Sequence, residues 1–106
     1  MLRSIKSPQR APRMLSAIVQ ADGTVSVGSR DVSVSVAASV YTITFARPFA
    51  RVPIVSCSIY ETVGTLVLSD LTASSVKVNA FEADISTPQD AVFHIQILGF
   101  DASDEY

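Results

Sequence analysis

The sequence predicts an all-β protein, a single antiparallel β-sandwich of about seven or eight short strands with jelly-roll-like or Greek-key connections. An extended N-terminal arm precedes it. Three observations predict this class. Segments such as Val32-Ser33-Val34-Ser35-Val36 alternate apolar and polar residues with the period of a half-buried strand. Turn signals recur roughly every 8–12 residues, the spacing of a sandwich or barrel. No segment longer than a turn carries a helical period. At 106 residues the chain suits one domain, divided here into an arm (1–13), a sandwich (14–101) and an acidic tail (102–106).

The elements follow in order. Strands are expected at Leu15–Val19 and Thr24–Val27, flanking Ala21-Asp22-Gly23, because Asp-Gly supplies the positive φ that a tight hairpin needs. Gly28 to Asp31 turns the chain into Val32–Val36, whose valines share one face and whose serines share the other. Ala37-Ala38-Ser39 makes a short connection into the next strand, where Tyr41, Ile43 and Phe45 alternate with Thr42 and Thr44. Further strands are expected at Ile54–Tyr60, Thr65–Ser69, Ser74–Glu82 and Ala91–Leu98, with a polar loop at 83–89 containing Pro88.

Between Phe45 and Ile54 the pattern changes. Pro48 and Pro53 bracket Phe49, and proline lacks the amide donor that a central strand requires. Tyr41, Ile43, Phe45, Pro48, Phe49, Pro53 and Val55 therefore form a structural corner joining two strands. The Phe49 ring is expected to plug an open edge of the sandwich.

Charge is unevenly distributed. Arg3, Lys6, Arg10 and Arg13 give the first 13 residues four positive charges and no acid, while the rest carries four basic and ten acidic side chains. Pro8 and Pro12 oppose a helix there, and the apolar core of a secretory signal is missing. Extended, this arm spans about 45 Å, enough to reach a neighbouring subunit. A protein partner and plain disorder rank equally; nucleic acid ranks well behind, since no aromatics interleave with the charges. Over the whole chain the charged fraction is 17%, below the usual ~25%, which points to surface hidden against partner subunits. No apolar run approaches the ~20 residues that span a bilayer, so no membrane partner is expected.

No catalytic set emerges, and the chain is read as a non-enzyme without metal or cofactor. Cys57 is the single cysteine, which excludes an internal disulfide; its place with Val55 and Ile59 marks it as a buried, inert core thiol. His94 is the single histidine and shares a strand face with Gln96, the pattern of a surface or subunit-facing residue. Asp84 and Asp90 flank a loop and are candidates for paired carboxylates or Ca²⁺, but solvated loop acids are the default, since the loop lacks the six to eight oxygens that Ca²⁺ requires. Asp101, Asp104 and Glu105 solvate the tail or meet a neighbour's basic arm. Tyr41, Tyr60 and Tyr106 are the candidates for sugar stacking, although core and rim packing account for Tyr41 and Tyr60 equally well.

The spacing Tyr41-x-Ile43-x-Phe45-x-x-Pro48-Phe49-x-x-x-Pro53-x-Val55 resembles a pattern in small β-sandwich modules of tailed-bacteriophage virions, both capsid decoration proteins and tail-fibre tips. It is shared loosely with H-type lectin domains. Phe93-His94-Ile95-Gln96-Ile97-Leu98-Gly99 is similar to the closing strand of such modules, and the resemblance covers roughly Asp22 to Asp101. The lectin branch usually carries a Trp near that strand, and this chain has none. The resemblance implies a homotrimeric virion component assembled in the host cytoplasm. A self-contained module with its own basic arm fits a capsid decoration (cement) protein, bound to the major capsid protein or another virion protein. A tail-fibre or receptor-binding tip that recognises a host glycan or protein is the alternative.

Overall fold

The computed structural model describes residues 12–28 and 30–101. Within them the chain forms eight strands and no helix: β1 (Arg13–Val19), β2 (Val25–Gly28), β3 (Val32–Ala37), β4 (Val40–Phe45), β5 (Ile54–Tyr60), β6 (Thr65–Ser69), β7 (Ser75–Phe81) and β8 (Val92–Gly99). They make two antiparallel sheets of four, ordered β2-β1-β8-β5 and β3-β4-β7-β6. The β1–β2, β3–β4 and β6–β7 hairpins stay within a sheet, whereas β2–β3, β4–β5, β5–β6 and β7–β8 cross between sheets.

Strand ends are set by partners rather than by alternation. Arg13, placed at the end of the arm from its charge, is instead the first residue of β1, because β8 extends far enough to pair Gly99 with it. Ala37 and Val40 likewise join their strands by pairing with each other, which shrinks the connection to Ala38-Ser39. Both turn residues adopt positive φ, at 52° and 64°. That is the conformation of a two-residue hairpin turn, held here without Asn or Gly. At the β1–β2 turn the expected Asp-Gly chemistry is present: Gly23 has φ 92° and the Asp22 carboxylate accepts from the Thr24 amide at 2.9 Å.

The inner faces supply the core. Val19, Tyr41, Ile43, Val76, Val78, Phe93, Ile95 and Ile97 are fully buried, each contributing about 1.5–3 kcal/mol. Tyr41 and Phe93 meet edge-to-face across the sheets at 5.1 Å. Burying Tyr41 requires partners for its hydroxyl. It donates to the Ala21 carbonyl at 2.7 Å and accepts from the Ala91 amide at 3.1 Å, tying the first hairpin turn to the start of β8.

The proline corner closes one end of the sandwich. Phe49 and Pro53 are buried and Pro48 is exposed. Phe49 lies edge-to-face against Phe45 at 5.4 Å and bridges to Asp101 across the sheet end. That end, holding segment 46–53, segment 70–74 and Asp101, is the corner end. The opposite, hairpin end holds the turns at 20–24, 38–39 and 61–64 and the loop 82–91.

Candidate interaction surfaces

At the corner end, Arg13 enters β1 with its side chain turned inward over Phe49. Its guanidinium carbon lies 4.2 Å from the ring centroid, Nε is 2.5 Å from Asp101 Oδ1, and Nη2 donates to the Arg47 carbonyl at 2.7 Å. Arg47 adds a looser approach to Asp101 at 3.6 Å. Arg13 thus locks the corner onto the end of β8. Arg3, Lys6 and Arg10, and likewise Asp104, Glu105 and Tyr106, lie outside the described residues.

The outward face of the β2-β1-β8-β5 sheet changes character along its length. Cross-strand pairing sets Met14, Leu98 and Ile54 in one row near the corner end. Beyond Ile54 the register slips, with Phe49 bridging Asp101 and the Ala50 amide donating to the Phe100 carbonyl at 2.8 Å, and Val52 and Phe100 lie two residues further along their segments from Ile54 and Leu98. Ile54 is 71% exposed, and Met14, Val52 and Phe100 are about half exposed. A cluster of this kind marks a contact surface more often than a solvent face. The consecutive pairs Met14-Leu15, Ile54-Val55 and Ile97-Leu98 break alternation and were the available signal in the sequence.

The next row is polar, Ser16, Gln96 and Ser56, and the one after it mixes Ile18 with His94 and Ser58. They line an open, concave groove of about 560 Å³. His94 stacks on Tyr60 at 4.9 Å between centroids and an angle of 27°. The groove offers hydroxyls, an amide and an imidazole beside apolar Ile18 and Val27, and the exposed Tyr60 ring stands at its side through the His94 stack.

The acids at the hairpin end are engaged separately. Asp84 folds its own loop, accepting from Thr87 Oγ1 at 2.6 Å and from the Ser86 and Thr87 amides, and these bonds hold its carboxyl down at about 2. Asp90 instead accepts from Ser39 Oγ at 2.8 Å. Among the described residues, no group of three or more His, Cys, Asp or Glu side chains is placed to hold a metal ion. Asp22, Glu61, Glu82, Asp84 and Asp90 all lie at this end, whereas Arg13, Arg47 and Arg51 lie at the other together with Asp31, Asp70 and Asp101.

Cys57 departs from its expected burial. Its side chain does face inward with Val55 and Ile59, but β5 is the last strand of its sheet and all three stay half-buried. Burial still raises the thiol pKa. Of the tyrosines, Tyr41 is spent in the core and Tyr60 stands beside the groove.

Comparison with known proteins found no matching family model, no matching curated protein and no matching solved structure.

Proposed function

We propose that this chain is a non-enzymatic structural module of a tailed-bacteriophage virion. In this reading it is a capsid decoration protein that seats its corner end at capsomer junctions. The row of exposed Met14 and Ile54 around half-buried Leu98, with exposed Val52 and Phe100 beyond it, carries the reading. Arg47 and Arg51 lie exposed in the adjoining corner, and the segment bearing Arg3, Lys6 and Arg10 joins the chain beside it. An apolar centre with a charged rim, here of both signs with Asp31, Asp70 and Asp101 beside the arginines, is the anatomy of a protein–protein contact. A bound module stabilises the shell by mass action, adding about 2.7 kcal/mol per site at a hundredfold excess over Kd.

Capsid occupancy tests the reading. The Ile54→Asp/Phe100→Ser variant is expected to lose at least about tenfold in affinity, equivalent to about 1.4 kcal/mol. A chain lacking residues 1–11 is expected to lose affinity as well. Unchanged occupancy of the double variant contradicts the reading.

A tail-fibre tip that recognises a host glycan is the second reading, favoured by the groove with its Tyr60–His94 stack. Binding on a glycan array that disappears with Tyr60→Ala supports it, and silence across a broad array removes it.

A further inference from the structure

We propose that two copies of this chain pair antiparallel through their β5 edges, about a two-fold axis at Cys57. This contact is proposed for the free chain and does not rest on the virion reading, in which a single copy seats its corner end on the shell. Strand β5 ends its sheet and pairs only with β8 among the described residues, so its other side presents unpaired amides and carbonyls. Proteins usually protect such edges with charge, proline or a bulge. None occurs between Ile54 and Tyr60, and the β5–β8 register runs unbroken over all seven residues.

The strand also matches itself. Antiparallel pairing centred on Cys57 sets Ser56 against the partner's Ser58, Val55 against the partner's Ile59 and Ile54 against the partner's Tyr60. Each pair joins side chains of one kind on one face. Beyond the strand the flanks are of opposite sign, Arg51 before it and Glu61 after it, both exposed. The antiparallel arrangement places each Arg51 flank near the partner's Glu61 flank, a complementarity that also fixes direction.

The adjoining side wall needs cover. Val55, Cys57 and Ile59 face Leu66 and Leu68 of β6, and all five remain only partly buried against the core. A second copy would shield this seam while its backbone completes the β5 ladder. The opposite wall differs. There the first hairpin turn lies over β3, so close that a Cβ on Gly23 would come within 3.1 Å of Val36. On that side β2 is only four residues long and its pairing with β1 slips register. The paired sheet would run continuously from one β2 to the other, with the two corner ends pointing in opposite directions.

The test is native mass spectrometry of the full chain, with three variants. The unmodified chain is expected to be a dimer. Ser56→Lys/Ser58→Lys sets lysine against lysine at both positions and is expected to give monomer. Ser56→Glu/Ser58→Lys sets opposite charges together and is expected to restore the dimer. Both serines are exposed, so folding should survive, which circular dichroism checks. Opposed residues in antiparallel strands have Cα atoms about 4.5–5.5 Å apart, within disulfide range. Copper-phenanthroline oxidation should therefore link the unmodified chain but not Cys57→Ser. A monomer, a trimer, or a dimer that survives the double-lysine change overturns the proposal.

Discussion

Gly99 at the end of β8 presses against the ring of Phe49 in the proline corner. A Cβ at Gly99 would come within 2.6 Å of Phe49 Cδ1. Two segments 50 residues apart therefore share one close-packed joint, and the corner seats only if β8 ends in a residue without a side chain.

This joint sets the first prediction. Gly99→Ala should cost about 1–3 kcal/mol by overpacking, and Phe49→Ala about 3–5 kcal/mol by leaving a cavity. Adding Phe49→Leu to Gly99→Ala should cost less than the two single changes together, because the smaller side chain yields the space. Denaturant titration checks all three. Strict additivity would place the two residues apart.

The two arginines near Asp101 should differ. The Arg13 side chain is 10% exposed and that of Arg47 is 60% exposed. Arg13→Ala removes a largely buried ion pair and the cover on Phe49, and should cost about 2–3 kcal/mol. Arg47→Ala should stay within about 0.5 kcal/mol, as exposed pairs do. Equal shifts in denaturant midpoint would show that Arg13 does not hold the corner.

Tyr41→Phe keeps the ring but strands the Ala91 amide, at an expected cost of about 1–3 kcal/mol. Alkaline pH should act on the same group. Burial raises the Tyr41 pKa above 10.0, so its contribution is intact below pH 10.0 and is lost as pH climbs through the higher folded value. Urea midpoints of Tyr41→Phe should therefore fall less between pH 10 and 11 than those of the unmodified protein. A parallel fall in both would remove Tyr41 from the account.

Asp84 gives the acid counterpart. Its folded pKa is about 2 against an ordinary 3.8, so its stabilisation is complete above 3.8 and disappears as pH falls through about 2. The stability difference between the unmodified chain and Asp84→Ala should hold constant above that range and shrink within it. A carboxyl midpoint near 3.8 by NMR would show that the loop does not close on Asp84.

Much of the fold was legible because alternation survives in nearly every strand. Ile54–Tyr60 and Thr65–Ser69 begin and end where their pattern places them, and Phe49 is buried as its bracketing prolines suggested. Alternation assigns a residue to a face, however, and does not tell how near that face lies to a sheet edge. Cys57 accordingly points inward yet stays half-buried. The short connection at Ala37-Ala38-Ser39 was legible, but not its tightening to a two-residue turn, because neither Ala38 nor Ser39 is a residue type that signals positive φ. The groove was hidden for another reason: Ser16, Ser56, Ser58, His94 and Gln96 read as ordinary outward positions until strand order sets β1, β8 and β5 side by side.

A reconstruction of the particle that carries this chain tests the central claim most directly. The proposed role predicts density on the outer capsid surface, with Met14, Ile54 and Phe100 against the shell and the acidic hairpin end facing outward. Density at a fibre tip, or on the capsid with the hairpin end inward, would contradict it.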